Sequence, residues 1–518
     1  RSDPKYTDII NFHYPNHGGP AFARKGQTQP VYLGEDSHLN AYNRLELASD
    51  PALRDTWGRY IRELWDDLYT TQGALGQSIW SGVDDTFYMK NDQTVGYGTW
   101  GPIDGWRRPK PEWWGMKKAY SPIRVLGKTT ATAGDQQRID LDVENRQNFT
   151  NLNETKIAWR VGGQAGTVSA NIPPGGKGRL SISLKKAAKP GVPLELDFYD
   201  PRGFVADQFC LTLAAAKAAP EALRLADTEI VTESAEAIII ADDPKLWQIS
   251  KALTGKPTVW QISKKTGQLI AANQFAVSGP QLMLLPLNSD GETQMTGKTK
   301  VWTPFTAPCS GWTCSKLSFS SAKGGTVVTV EGKYDGAEGT YSMTFLPGGI
   351  VEIAYAFTIT KAVNPRQTGL VFSLPRECES FSWTRNGYWD VYPEDHIARL
   401  KGSVKATEGF EATSVGPRTK PNHPWRLDNL PYGNNDFCST KHNVITATLL
   451  DAKGKGLTID GHGEQHIRCW RTEAASNVLI ADYSNGGSER FLRGMASKDD
   501  RPLKPGAKIT GTVRLEVR

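Results

Sequence analysis

The sequence predicts a multidomain chain: the C-terminal part of a (β/α)8 TIM barrel, then an immunoglobulin-like β-sandwich, then a large antiparallel β-sandwich. Three observations predict it. The first 125 of 518 residues alternate short apolar strands with amphipathic helical stretches, the pattern of a parallel α/β layer. Beyond residue 126 the dominant period changes from 3.6 to 2. The length exceeds what one hydrophobic core serves, and the breaks fall to give domains 1–125, 126–213 and 214–518.

Thr7-Asp-Ile-Ile-Asn-Phe-His-Tyr-Pro15 is an apolar strand ending in His13 and Tyr14. Pro15 stops it, because proline cannot continue a ladder. Residues 16–30 are polar and glycine-rich and read as a long loop. Val31 to Leu33 is a second buried strand. It ends in Gly34 and then presents Glu35, with His38 and Asn40 close behind. Parallel α/β folds present chemistry in this way, at the carboxyl ends of strands; the plainer alternative is a strand running into a polar loop. Leu53, Trp57, Tyr60, Ile61, Leu64, Trp65 and Leu68 recur at spacings of three and four and make one helix face. Asp50 is placed to cap that helix, with Pro51 at its first position. Residues 76–85 form a third strand that delivers Trp80, then Asp84 and Asp85. These two aspartates are expected to cap the next turn or to pair with arginine, and Arg107 and Arg108 to make ion pairs that close the layer. A last amphipathic piece, Pro111 to Tyr120, carries Trp113, Trp114, Met116 and Tyr120. The order β, loop, β, α, β, loop, α supplies three of eight barrel strands. Parallel strands need cover on both faces, so the rest of the barrel is expected outside this chain or on another.

Residues 138–143, 156–161, 178–184 and 194–198 alternate with period two, separated by turn clusters such as Pro173-Pro-Gly-Gly176. Short strands at this spacing predict the immunoglobulin-like sandwich. Residues 214–223 are alanine-rich and read as a linker or short helix. Strands then dominate, at 325–330, 341–345, 351–355, 444–449 and 509–515, and predict the large sandwich.

The chain has 16 tryptophans. Most will be core, but indole faces also suit sugar rings. A net charge of +6 on 518 residues, without a basic stripe, excludes a nucleic-acid partner. No apolar run approaches the roughly 20 residues a membrane crossing needs. The six cysteines, Cys210, Cys309, Cys314, Cys378, Cys438 and Cys469, match no zinc or redox spacing. Cys309 and Cys314 either close a small disulfide or stay reduced. The chain opens in mid-domain, so the lack of a leader says nothing of compartment; a periplasmic or secreted location is favoured over a cytoplasmic one, and the oligomeric state is left open.

Four segments resemble, in order and spacing, the end of the catalytic barrel of glycoside hydrolase family 2, in its β-galactosidase-like members. Asp8-Ile-Ile-Asn-Phe-His-Tyr-Pro15 resembles the sixth strand, with Tyr14 at the position of the active-site tyrosine. Glu35-Asp-Ser-His38 resembles the seventh-strand nucleophile segment Glu-Tyr-Ala-His and agrees with it at Glu and His only. Ile79-Trp-Ser-Gly-Val-Asp84 resembles the eighth strand, with Trp80 at the sugar-stacking tryptophan. Gly101-Pro-Ile-Asp-Gly-Trp-Arg-Arg-Pro-Lys-Pro111 resembles the segment that closes the barrel. Asn148-Phe-Thr-Asn-Leu-Asn153 is similar to the family's second sandwich. Residues 369–375, 383–392 and 431–436 resemble its C-terminal, galactose-mutarotase-like domain. That domain can lend a loop to the sugar pocket, for which Tyr388, Trp389, Asn434, Asn435 and His466 are candidates, against plain core and turn roles.

The resemblance implies a retaining exo-β-glycosidase, first of all a β-galactosidase. Glu35 is then the nucleophile, and His13, Tyr14, His38, Asn40 and Trp80 bind substrate. The acid/base Glu is expected outside this chain: residues 1–30 contain no Glu, and Asp36, as the next residue along the strand, points another way. No cofactor is expected here, since the family's magnesium ligands lie in the missing half. The implied partners are a β-galactoside or related saccharide and the missing N-terminal half, without which the isolated chain is expected to be inactive. Gly98-Thr-Trp100 lacks the Asn-x-Lys with which the family's glucuronidases hold a uronate. The competing readings are a non-catalytic carbohydrate-binding or scaffold chain, and a family 2 hydrolase for another β-glycoside.

Overall fold

A computed structural model describes residues 5–15, 19–37, 44–88, 94–98, 100–126, 138–189, 191–213, 229–242, 257–287, 305–322, 325–408, 421–428, 435–487 and 497–518. It is mostly β and contains two compact units. One comprises Arg1–Trp113, Arg224–Gly387 and Glu394–Arg518; the other comprises Trp114–Leu223 with Tyr388–Pro393.

In the first unit, β1 (Ile10–His13), β2 (Val31–Asp36) and β3 (Ala74–Ile79) form a parallel sheet in that order. The helices are α1 (Gly19–Arg24) between β1 and β2, then α2 (Arg44–Ser49) and α3 (Leu53–Thr70) between β2 and β3. The expected long loop over 16–30 thus contains a short helix. Pro20 sits in its first turn, where proline lacks nothing a helix needs, and the Arg24 guanidinium ties its end to the carbonyls of Gln29 and Gln72. A hairpin of β4 (Asp85–Tyr88) and β5 (Thr94–Gly98) follows; the next helix, α4 (Pro111–Ala119), begins in this unit and ends in the second. What the described residues show is an open three-stranded sheet and not a closed barrel.

α3 buries Leu53, Trp57, Tyr60, Ile61, Leu64 and Leu68 of the face its spacing sets, leaves Trp65 half-buried, and in its first turns buries Arg54, Asp55 and Thr56 as well. The expected cap does not form. α3 begins after Ala52, with no side-chain cap. Asp50 is fully buried; it accepts the Ala52 amide only at 3.3 Å, and bonds more closely to Arg366 Nη2 at 2.8 Å and to the Thr440 amide and hydroxyl at 2.8 and 2.7 Å. A guanidinium is a stronger partner for a dry carboxylate than a helix-end N–H. Arg385 pairs in the same way with Asp55 at 3.1 Å. Arg108 pairs with Asp104 at 2.7 Å and Asp428 at 3.2 Å, as an ion-pair former should, whereas Arg107 is exposed.

The rest of this unit is one 16-stranded sheet. Its first half runs β13 (Glu229–Glu233), β14 (Ala237–Asp242), β15 (Val259–Ser263), β16 (Leu269–Ala272), β17 (Phe275–Pro286), β18 (Thr313–Ala322), β19 (Gly325–Lys333) and β20 (Ala337–Leu346). Its second half runs β21 (Ile350–Ile359), β22 (Pro365–Pro375), β23 (Ser380–Arg385), β24 (Lys401–Lys405), β25 (Lys441–Leu450), β26 (Gly456–Arg471), β27 (Ala475–Ser484) and β28 (Lys508–Val517). The sheet curls over itself: Trp260 of β15 meets Phe345 of β20 at 5.4 Å between ring centroids, although many strands separate them along the ladder. One apolar core fills the fold, from Ile238 on β14 to Leu515 on β28.

Among the described residues the second unit is a sandwich of seven strands. β6 (Ile123–Leu126), β7 (Arg138–Asn145) and β10 (Lys177–Ser183) form one sheet; β8 (Ile157–Val161), β9 (Gln164–Val168), β11 (Pro193–Tyr199) and β12 (Val205–Thr212) form the other. Leu141, Val143, Leu180 and Ile182 from the first meet Ile157, Trp159, Leu194 and Leu196 from the second. The stretch 151–154 closes as a turn capped by Asn151 and Glu154. All six cysteines are free, so Cys309 and Cys314 follow the reduced alternative. The linker at 214–223 lies outside the described residues.

Candidate active site

The carboxyl ends of β1, β2 and β3 bring His13, Glu35 and Trp80 to one edge of the parallel sheet. Register does this. His13 stands opposite Glu35 and Asp36 opposite Ile79. Two backbone bonds continue the ladder past the strands, from Tyr14 N–H to the Glu35 carbonyl at 3.0 Å and from Trp80 N–H to the Asp36 carbonyl at 2.9 Å.

His13 Nδ1 lies 2.8 Å from Glu35 Oε2. The Asn11 carboxamide lies 3.3 Å from His13 Nε2. An imidazole protonated at Nδ1 satisfies both contacts: it donates to the carboxylate and accepts from the amide. Asn11 and His13 share a face because they stand two apart on a strand. Gly34 matters here, since a Cβ at that position would run into the Asn11 carboxamide. Among the described residues Glu35 Oε1 accepts no hydrogen bond. The Glu35 side chain is 22% exposed. A carboxylate held through one oxygen and partly open to solvent is competent as a nucleophile.

Tyr14 adopts positive φ, 47°, and its ring stands edge-on to His13 at 6.2 Å. Trp80 is 44% exposed, and the Trp80–Ser81 peptide is cis. His38 and Asn40 lie outside the described residues. Asp84 is buried against Lys110 at 2.7 Å and accepts the Gly101 amide, so its expected cation is a lysine and not an arginine. Of the loop candidates from the large sheet, Asn435 accepts the Cys438 amide at 3.2 Å, His466 packs against buried His442 at 5.1 Å between ring centroids, and Asn434 is not among the described residues. Tyr388 and Trp389 belong to the second unit.

Sequence reasoning passed over Asn11 and Ser37, and weighed Asp36 only as a stand-in for the acid/base, which it set aside. The period-two relation of Asn11 to His13 was the available signal for the first. Asp36 is 3% exposed, and its Oδ2 and the Ser37 hydroxyl are buried without partners among the described residues. Burial pushes the Asp36 carboxyl up to about 7, against the pull of the Ser37 amide. Trp57 on α3 donates to the Ser37 carbonyl at 3.1 Å and so fixes where the chain leaves β2. No group of three or more metal-ligating side chains occurs among the described residues.

No protein-family model matches the chain. Over 379 residues it is 23% identical to the β-galactosidase of Priestia megaterium (strain DSM 319 / IMG 1521); the match covers 67% of this chain and only 32% of that protein. A putative aldose 1-epimerase from Escherichia coli K12 overlaps 51% of this chain and 97% of its own at 8% identity, with a TM-score of 0.29. A β-D-mannosidase from Dictyoglomus thermophilum overlaps 35% of this chain and 21% of its own at 18% identity, with a TM-score of 0.17. Structural overlaps this loose establish neither fold nor function. The sequence match makes this chain a distant relative, over part of its length, of a glycoside hydrolase.

Proposed function

We propose that this chain is the C-terminal portion of a retaining exo-β-glycosidase of family 2, acting on terminal β-galactosides. In this reading residues 1–125 are the last three strands of the catalytic (β/α)8 barrel, residues 126–213 the immunoglobulin-like sandwich, and residues 214–518 the galactose-mutarotase-like domain. Glu35 attacks the anomeric carbon while the bond to the leaving oxygen breaks, forming a glycosyl ester; water then releases the sugar. The acid/base carboxyl, which must stand about 5–5.5 Å from Glu35, comes from the part of the protein outside this chain. Trp80 stacks on the sugar ring, and Tyr14, His13, His38 and Asn40 bind its hydroxyls or orient the nucleophile.

The observation that most supports this reading is the Glu35 carboxylate, held by His13 at the carboxyl ends of adjacent parallel strands. The similarity to a β-galactosidase agrees with it. The test is hydrolysis of nitrophenyl β-galactoside by the full-length protein, with trapping by a 2-fluoro-galactosyl fluoride. A stable adduct on the Glu35 peptide, and loss of at least about a thousandfold in kcat for Glu35→Gln, are expected. Unchanged turnover in that variant removes Glu35 from the mechanism.

A further inference from the structure

The face of β23, β24 and β25 that turns away from the core carries an open groove of about 350 Å³. With Trp383, Gly402 and Ala447 at its floor, it is lined by Ser382, Thr384, Lys401, Ser403, Thr446 and Thr448. Register arranges them in two rows across the strands. Ser403 stands opposite Ser382, which stands opposite Thr448; Lys401 stands opposite Thr384, which stands opposite Thr446. Opposed residues of an antiparallel pair share a face. On β26 the rows continue to Thr458 and Asp460. Four strands span about 14 Å at their usual spacing, the length of a short oligosaccharide.

The floor is rigid. Phe381, Trp383, Val404, Ala447 and Leu449, from the same strands, point into the main core. The Trp383 indole donates to the Arg399 carbonyl at 3.0 Å, with Arg399 and Lys441 at 4.7 and 4.2 Å from its ring centroid. None of the six polar side chains that line the groove has a hydrogen-bond or ion-pair partner among the described residues. The Thr458 hydroxyl at the end of one row is buried and also unpaired. A lysine on an edge strand ordinarily discourages further strands from adding, and exposed Lys405 on β24 fits that role. Lys401 differs because it faces a field of five unpaired hydroxyls.

We infer that this groove binds a short anionic saccharide. Serine and threonine hydroxyls both donate and accept, which matches the ring hydroxyls of a sugar, and the one large apolar side chain of the lining, Trp383, is almost wholly buried beneath them. Lys401 takes a carboxylate or sulfate on the sugar. The site is separate in sequence and strand from Glu35, and the inference does not rest on catalysis there.

The test is isothermal titration of the 518-residue chain with digalacturonic acid, a sulfated galactobiose, neutral galactobiose and inorganic sulfate. One or both anionic sugars bind with Kd near about 1 mM or tighter, neutral galactobiose binds about tenfold more weakly, and sulfate alone binds least. Lys401→Gln weakens the anionic sugars about tenfold and leaves the neutral one unchanged. Thr384→Val and Thr446→Val weaken all the sugars several-fold. Glu35→Gln changes none of these values, which keeps the outcome distinct from that of the hydrolase reading. The inference is overturned if no sugar binds by about 10 mM, if the groove variants bind like the parent, or if sulfate binds as tightly as the sugars. It is overturned equally if Lys401→Gln drives dimerisation in sedimentation without touching sugar binding, for then the lysine guards an edge and nothing more.

Discussion

Replacing Asp36 by asparagine should stabilise the protein, by more as the pH rises. Asp36 is 3% exposed, its Oδ1 accepts the Ser37 amide at 2.8 Å, and its Oδ2 has no partner among the described residues. Burial raises its carboxyl from the usual 3.8 to about 7. Near pH 4 and below, folded and unfolded chains both hold the proton, and the group contributes little. Between about pH 4 and 7 the unfolded chain releases a proton that the folded chain keeps, so stability falls by about 1.4 kcal/mol per pH unit. The loss totals about 4 kcal/mol and levels off above pH 7. Asparagine preserves the acceptor for Ser37 and places N–H where the protonated acid places O–H. The variant should therefore match the parent near pH 4 and exceed it by up to about 4 kcal/mol near pH 8. Urea unfolding followed by tryptophan emission, at unit steps from about pH 5 to 8, reads the difference. Parallel stability curves for the two proteins refute the reasoning, because the carboxyl would then titrate alike in both states.

Three further outcomes are expected. Asp50→Asn takes the counter-charge from fully buried Arg366, leaving it only Glu46 at 3.3 Å, and should lower stability by about 3–5 kcal/mol in urea unfolding at neutral pH. Gly34→Ala should push Asn11 off His13, seen as a shift in the His13 imidazole resonances, and destabilise by about 1–3 kcal/mol. His442 is held well below its usual range by burial, then by His466, Arg385, Arg366 and Arg59; burial and the same arginines take His466 down to about 4. The stability they contribute is full above about pH 6.5 and lost as the pH falls toward 4. Nitrogen-detected NMR should find both rings neutral near pH 5, and a charged ring at that pH contradicts the account.

Periodicity carried most of what could be read from the sequence. Every apolar run assigned to a strand in the two β-rich regions lies on one, because alternation along a strand follows directly from which face is buried. The helix face of α3 was legible for the same reason. The hairpin of β4 and β5 was not, since its strands are only four and five residues long. Nor was the fate of Asp50, because its partners lie hundreds of residues away and local spacing says nothing about them. At the candidate site the strand-end positions of His13, Glu35 and Trp80 could be read locally. The hydrogen bond from His13 to Glu35 depends on how two strands register, which one strand's sequence does not specify.

The guanidiniums of Arg366 and Arg385 lie inside the molecule opposite Asp50 and Asp55, which precede them by 316 and 330 positions. A polypeptide beginning after residue 223 would enclose two naked cations, and desolvating each costs several kcal/mol. Transplanting that region onto another protein should therefore give insoluble material unless the first 113 residues are added back, even in trans. A nick in the intervening stretch, by contrast, should leave two pieces that travel together through a column and part only when acid discharges the aspartates.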